Sequence, residues 1–527
     1  MCNVSVHWST RVILLTILFF TMALSSAYPN SEMAIHQEMD DSLKSFILTP
    51  PTPETPQING ARVFGVRPGS PFFYSVPVTG KRPIKYTAKN LPRGLKLNKK
   101  TGYITGVLNK RGEYKVTLYA KNSLGKTKRD FKIIVGDKIA LTPPMGWNSW
   151  NVWGISVDDR KVRAATDALV NTGLADYGWS YVVVDGGWTV APENDDPLLN
   201  GVPYDSLGRI NSNRKFPNMK DLSQYVHNKG LKLGLHTSPG PITCSPLGFV
   251  ACYGHEQECA EQFANWEVDF IKYDWCSYTQ IAKNNSIEEL QKPFIKMRNI
   301  LDDIPRDIVF SINPGPQGRK NEPWTWGKKV GANMWRTTGD ITDTWTSTTK
   351  IGFSQHYAGY AEPGHWNDPD MLLVGHVGWG PELRKTRLTP DEQYSHISLW
   401  CLLSAPLFIG CDLDKMDDFT YSLLTNTEVL DVNQDPLGEQ GSLVSEKGEW
   451  WVYSKPMEDG SIAVGLFNKG AEKAMVTANW ADLGISGKQV VRDLWRQKDL
   501  GTFENHFSAE IASHGVVLIR IKPVDKQ

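Results

Sequence analysis

The stretch that most constrains this chain is Val268-Asp269-Phe270-Ile271-Lys272-Tyr273-Asp274-Trp275-Cys276. Val268, Phe270 and Ile271 make an apolar run of strand length. The run ends in a lysine and a carboxylate, at the point where a buried strand would leave the core. In a barrel of parallel strands, that C-terminal end is where chemistry sits. A single segment of this kind also fits a strand followed by an ordinary polar loop. Recurrence favours the first reading. Tyr181–Asp185, Met334–Arg336 leading to Asp340, and His365 leading to Asp370 all end the same way. Several strands that deliver carboxylates to one rim form a site pattern.

From Thr142 onward, strand-like runs alternate with helical patterns. The expected strands are Met145–Trp150, Tyr181–Asp185, Leu231–Ser238, Phe270–Asp274, Ile308–Asn313, Asn333–Arg336, His365–Leu373 and Leu407–Leu413. Helical spacing covers Val157–Thr172 and Asn218–Lys229, among others. This alternation fits a (β/α)8 barrel. A doubly wound open sheet would carry a Gly-rich phosphate turn after its first strand, and none is present. On either side the pattern is of short strands without helices. Before the barrel lie Phe72–Val76, Ile84–Tyr86, Tyr114–Tyr119 and Phe131–Val135, punctuated by turn residues at Pro92–Gly94 and Thr101-Gly102. After Asn433–Gly438 come Trp450–Tyr453, Ile462–Phe467, Ala474–Ala478, Gln489–Leu494 and Val516–Ile521. The expected fold is a multidomain chain with an N-terminal β-sandwich, a central TIM barrel and a C-terminal antiparallel β-sandwich.

At 527 residues the chain is long enough for about two to four domains. Lys and Arg number 57 against 57 Asp and Glu, a balance that argues against a nucleic-acid or polybasic membrane surface. Arg11 and the apolar run Val12–Leu24 precede Ser25-Ser26-Ala27, small residues of the kind a signal peptidase reads. The run is short for a membrane span, so export with no remaining span is expected, to the periplasm or outside the cell. The expected divisions are a signal peptide at 1–27, a Pro-rich linker at 28–57, the first sandwich at 58–137, the barrel at 138–437 and the second sandwich at 438–527. Cys2 falls in the signal. In an oxidising compartment some of Cys244, Cys252, Cys259, Cys276, Cys401 and Cys411 should pair. Cys401 and Cys411 sit among apolar residues and read as core thiols. The rival reading of Cys244, Cys252, His255, Cys259 and Cys276 is a zinc site.

Hydrolysis of a glycosidic bond needs one carboxylate that attacks, or activates water, and a second that protonates the leaving oxygen. Asp274 and Asp340 each follow an expected barrel strand. Lys272 lies two positions before Asp274, so both side chains face the same way in an extended strand. Its ammonium would keep Asp274 ionised, as a nucleophile requires. The chain is also rich in Trp, with 19, a residue whose face stacks on pyranose rings or packs cores.

Thr142–Trp150, Lys272–Cys276, Trp335-Arg336 with Asp340, Gly364–Met371, Ser404–Phe408 and Asn433–Gly438 together resemble glycoside hydrolase family 27, which holds α-galactosidases and α-N-acetylgalactosaminidases. The motifs occur in family order. The stretch Leu91–Gly106 likewise resembles immunoglobulin-like modules of secreted bacterial proteins, where a spacer fits better than a carbohydrate-binding role. The family resemblance implies a retaining double displacement on an oligo- or polysaccharide, without metal or other cofactor. Asp274 would be the nucleophile and Asp340 the acid/base, with carboxyls roughly 5–5.5 Å apart. Trp147, Asp185, His236, Lys272, Arg336, Asp370 and Met371 would line the sugar site. Cys244 and Cys276 match the family's disulfide beside the active site, and Cys252 with Cys259 would form a second, local bridge.

Two departures bear on the sugar. Galactosidases usually carry two adjacent aspartates after the second strand, which grip the 4- and 6-hydroxyls. Here the sequence is Asp185-Gly186-Gly187-Trp188. His236 stands where a tyrosine is common, as a substrate contact or as a satisfied rim histidine. The loop Asn313–Gly318 matches neither of the family's usual patterns for the 2-substituent. α-Galactosidase activity is the first expectation. β-L-arabinopyranosidase, isomalto-type α-glucan hydrolase and a non-catalytic sugar-binding protein are the alternatives.

Overall fold

The structure, a computed structural model, describes residues 41–524. The expected signal peptide and the first part of the expected linker lie outside the described residues. Among the described residues no helix is long and apolar enough to cross a membrane.

Eight parallel strands form the centre: β1 (Met145–Asn148), β2 (Tyr181–Val184), β3 (Lys232–Thr237), β4 (Phe270–Asp274), β5 (Val309–Asn313), β6 (Met334–Arg336), β7 (Trp366–Asp368) and β8 (Leu407–Ile409). Their order is β7-β6-β5-β4-β3-β2-β1-β8, and a parallel bridge from Leu372 to Ile409 closes the ring. Every residue of β2, β4 and β5 is buried, because helices cover one face and barrel side chains fill the other. That is why these strands read as continuous apolar runs rather than as alternating ones. The closed parallel order rules out the open doubly wound sheet.

The connecting helices start on side-chain caps. Asp158, Asn218 and Ser286 accept backbone N–H groups at the starts of Asp159–Asn171, Met219–Asn228 and Ile287–Asp303. The helix Pro390–Leu402 opens on a capping box between Thr389 and Glu392. It is buried from Glu392 through Leu402 because the barrel covers one side and the C-terminal sheet the other. Trp495 Nε1–H donates to Ser398 Oγ across that contact at 2.8 Å. Beyond it, six antiparallel strands between Ser442 and Pro523 pack against the pair Ala474–Asn479 and His506–Ile511 around a separate core. Ser442–Lys447, Lys498–Glu504 and His506–Ile511 are strands beyond those expected; the first two carry charges and bury no residue, and the third buries only Phe507 and Ile511.

The N-terminal module has a four-stranded and a three-stranded sheet over its own core, which includes Phe72, Ile104, Val116 and Ile133. It is fastened beneath the barrel. Arg67 N–H and Nε–H donate to the two carboxylate oxygens of Asp307 at 3.0 and 2.7 Å. The same guanidinium donates to the carbonyls of Leu301, Asp302 and Ile304 at 3.2, 3.0 and 2.9 Å. Those carbonyls belong to the frayed C-terminal end of Ile287–Asp303, where helix carbonyls lack internal partners. The expected linker is not free over its described length. Leu48 N–H donates to Tyr394 Oη, and Thr49 Oγ1–H to the Ser422 carbonyl at 2.8 Å, so this stretch runs along the barrel wall.

Candidate active site

The expected residues gather at the C-terminal ends of the strands because parallel register puts them level. His236 on β3 pairs with Lys272 on β4, Asp274 with Asn313 on β5, and Arg336 on β6 with Asp368 on β7.

Lys272 and Asp274 share one face of β4. Lys272 Nζ donates to Asp185 Oδ2 at 2.8 Å and lies 3.3 Å from Asp274 Oδ2. Asp185 follows β2. Its Oδ2 also accepts from Asn148 Nδ2 at 2.9 Å, and its Oδ1 accepts from Gly186 N–H at 2.8 Å. Burial works against the charge on Lys272, but the carboxylates of Asp185 and Asp274 outweigh it and raise its pKa. Burial would likewise lift Asp274. Lys272, His236 and Arg336 overcome it and hold the carboxyl well below its ordinary range. Asp185 is held low by Lys272 and His236 against the same burial.

Asp274 Oδ2 also faces His236 Nε2 at 3.3 Å. Asp274 Oδ1 and His236 Nδ1 are buried without a hydrogen-bond partner, so each keeps hydrogen-bonding capacity for a group that enters the site. Cys276, two residues past Asp274, is bonded to Cys244, which ties the loop after β3 to the loop after β4. Cys252 and Cys259 form the second bridge. Both pairs hold these four cysteines as disulfides rather than as thiolates. Cys401 and Cys411 are buried free thiols.

Arg336 organises the other side. Its Nη2 donates to Asp340 Oδ1 at 3.1 Å and lies 3.0 Å from Asp370 Oδ2. Burial opposes its charge, and Asp370 and Asp340 raise its pKa nonetheless. The Asp340 side chain is 73% exposed while that of Arg336 is 3% exposed, so the pair joins solvent to the interior. Asp370 Oδ2 also accepts Ile341 N–H at 2.9 Å, which pins the backbone beside Asp340. Burial drives the Asp370 pKa up to about 7, with Arg336 opposing and Asp340 and Asp368 adding to the rise. Asp370 has φ +93°, a strained backbone held by Asp368 Oδ1 at its N–H and Trp400 Nε1 at its carbonyl. This kink ends β7 early; the expected strand to Leu373 stops at Asp368.

Met371 is buried in the barrel core. Trp147 is fully buried and its Nε1–H donates to the Cys411 carbonyl, so its ring presents no exposed stacking face. The sequence reading missed Asn148, Ser149 and Arg319. Asn148 and Ser149, whose Oγ accepts Asp185 N–H, lie inside the quoted Thr142–Trp150 motif, so their place beside the tryptophan was the available signal. Arg319 Nη1 donates to Asn313 Oδ1 at 3.0 Å, beside the end of β4.

Comparison with known proteins agrees with this arrangement. The family model described as Alpha galactosidase A matches residues 142–435, and that of the alpha galactosidase C-terminal beta sandwich domain matches 447–521. An Ig-domain model matches 54–136. An α-galactosidase of Cyamopsis tetragonoloba is 41% identical over 389 residues, 73% of this chain and 87% of that one. A solved structure from Bacteroides fragilis superposes with TM-score 0.80 at 32% identity, over 89% of this chain and 98% of the other. A β-L-arabinopyranosidase structure from Geobacillus stearothermophilus gives TM-score 0.63 at 28% identity, over 74% and 98%. The barrel, its carboxylate rim and these matches define an O-glycosyl hydrolase. The chain belongs to glycoside hydrolase family 27, the α-galactosidase family.

Proposed function

We propose that this enzyme is an exported retaining exo-glycosidase that removes terminal α-D-galactosyl residues from oligo- or polysaccharides. The observation that carries the reading is Asp274: buried, held ionised by Lys272 and His236, and with Oδ1 free of any hydrogen bond. In the first step Asp274 attacks the anomeric carbon. The C–O bond to the leaving unit breaks as Asp340 gives its proton to that oxygen. In the second, Asp340 takes a proton from water. The water oxygen bonds to the anomeric carbon and the Asp274 ester breaks, restoring both carboxyls. Arg336 steadies Asp340 while it is an anion, and the exposure of Asp340 lets it exchange protons with solvent.

Asp185, gripped by Lys272 and Asn148, is suited to accept from two sugar hydroxyls. Two disulfides beside the rim suit an exported chain, in line with the leader-like first residues.

A second sugar, β-L-arabinopyranose, is favoured by Gly186. A Cβ placed there would lie 3.6 Å from Trp150 and 3.9 Å from His236 Nδ1, so the corner is open but holds no carboxylate. That sugar is galactose without its C6 arm. A panel of nitrophenyl α-galactoside, β-L-arabinopyranoside, α-N-acetylgalactosaminide and α-glucoside tests both readings. Highest kcat/KM on the α-galactoside is expected. Highest on the arabinopyranoside moves the assignment to the second sugar, and sugar binding without release of phenol from any of the four refutes catalysis.

A further inference from the structure

Three cationic side chains border the site, and one stands apart. Lys272 lies within 3.3 Å of two carboxylates, and Arg336 within 3.1 Å of two. Among the described residues, no carboxylate pairs with Arg319. Its recorded partner is the neutral amide oxygen of Asn313. The side chain is not there by accident of a loose loop. Gly318 packs so close to Pro314 that a Cβ would come within 2.3 Å of the proline ring. Gly315, at φ +66°, lets the chain fold back over Trp275. The short helix Gly315–Lys320 brings Arg319 back onto the end of β5, where Asn313 is the ladder neighbour of Asp274. Burial and the like charge of Arg336 both weigh against the Arg319 cation, and Asp340 is the carboxylate that favours it most. A guanidinium kept half-buried beside another, with no anion of its own, is arranged to receive one.

We infer that Arg319 is a specificity residue for an oxyanion on the substrate, a sulfate ester or a uronic carboxylate, carried next to the scissile bond. The inference rests on the glycosidase reading above and narrows its substrate class to charged galactosides. The position follows from Asn313 and Asp274: Arg319 sits at the anomeric end, away from the Asp185 and Gly186 corner. Two carriers of the same chemistry fit there. One is a sulfate on O2 of the galactosyl unit itself, and the other is a carboxylate on the leaving unit. Arg presents a planar fork to such groups, where a lysine offers a point charge.

The test compares kcat/KM on three substrates: nitrophenyl α-galactoside, its 2-O-sulfate, and an α-galactosyl disaccharide ending in a uronic acid. The readout is the ratio of each charged substrate to the neutral one. The wild type should prefer at least one charged substrate. Its ratio should fall about tenfold or more in Arg319→Gln and partly recover in Arg319→Lys, the scale of one lost charge-assisted hydrogen bond. The charged substrate that responds identifies the carrier. An unchanged ratio in Arg319→Gln, or a wild type that disfavours both charged substrates, overturns the inference. Binding to the Asp274→Asn protein by calorimetry separates the two readings. Arg319-dependent affinity for either charged substrate without wild-type turnover upholds this inference and sinks the catalytic one. Turnover of the neutral substrate without such affinity for either charged substrate does the reverse.

Discussion

One strand carries an aspartate at each end, and the two are treated in opposite ways. Asp269, just before β4, is buried at the foot of the barrel with both oxygens engaged. Oδ2 meets His227 Nε2 at 2.7 Å and Leu233 N–H at 3.0 Å, and Oδ1 accepts from Arg306 at 2.7 Å. Asp274, at the top, has the Lys272 ammonium and the His236 ring each 3.3 Å from one oxygen and nothing on the other. Neighbouring charges hold both carboxyls low against burial. Low pKa alone therefore does not mark the working residue. The difference is an unspent acceptor, which costs stability and leaves a bond to be made.

The comparison breaks most sharply on removal of each charge. Asp274→Asn should lower turnover by at least about 10⁴-fold while the urea midpoint stays near that of the wild type. Near-normal activity in that protein would end its assignment as nucleophile. Asp269→Ala should do the opposite: a loss of about 3–5 kcal/mol in denaturant unfolding, because the buried Leu233 N–H and the half-buried His227 and Arg306 lose their shared acceptor. A cost below about 1 kcal/mol would show that the foot of the strand is no better satisfied than the top.

The strand ends were legible because a fully buried parallel strand must be apolar and must stop where it meets solvent. Phe270–Asp274 was read to the residue. His365–Leu373 was not, since the turn at Pro369-Asp370 depends on Trp400 and Asp368, which only the closed barrel supplies. The positions of Asp274, Asp340, Lys272 and Arg336 were visible in the motifs. Arg319 was not, because its place depends on the short helix Gly315–Lys320, whose path is set by the close approach of Gly315 to Trp275 and of Gly318 to Pro314. In the C-terminal sandwich, Lys498–Glu504 was missed because its charges leave no continuous apolar face.

Smaller changes sharpen the picture at the rim. Gly186→Asp meets no clash and no left-handed backbone, so it should fold. It should raise the ratio of galactoside to arabinopyranoside kcat/KM by about tenfold, one charged hydrogen bond's worth. An unchanged ratio would mean His236 already fills that corner. The smallest effect concerns pH. The Asp370 pKa of about 7 lies above the 3.8 of an ordinary aspartate, so the native state keeps a proton the unfolded chain has lost. Stability from this group is intact below 3.8 and declines as pH rises to about 7. Asp370→Asn tolerates the same backbone angle and should flatten that slope in urea melts between acid and neutral pH. An identical slope in the variant would place the titration elsewhere.

The Arg67 clasp makes the first module a base plate. Trimming the chain back to the barrel would strip the last turn of Ile287–Asp303 of its cap and leave Lys232 without the Phe64 ring that lies against it. A shortened enzyme of this kind would keep every catalytic group and still lose its footing, so its yield and shelf life, not its chemistry, would report what the module is for.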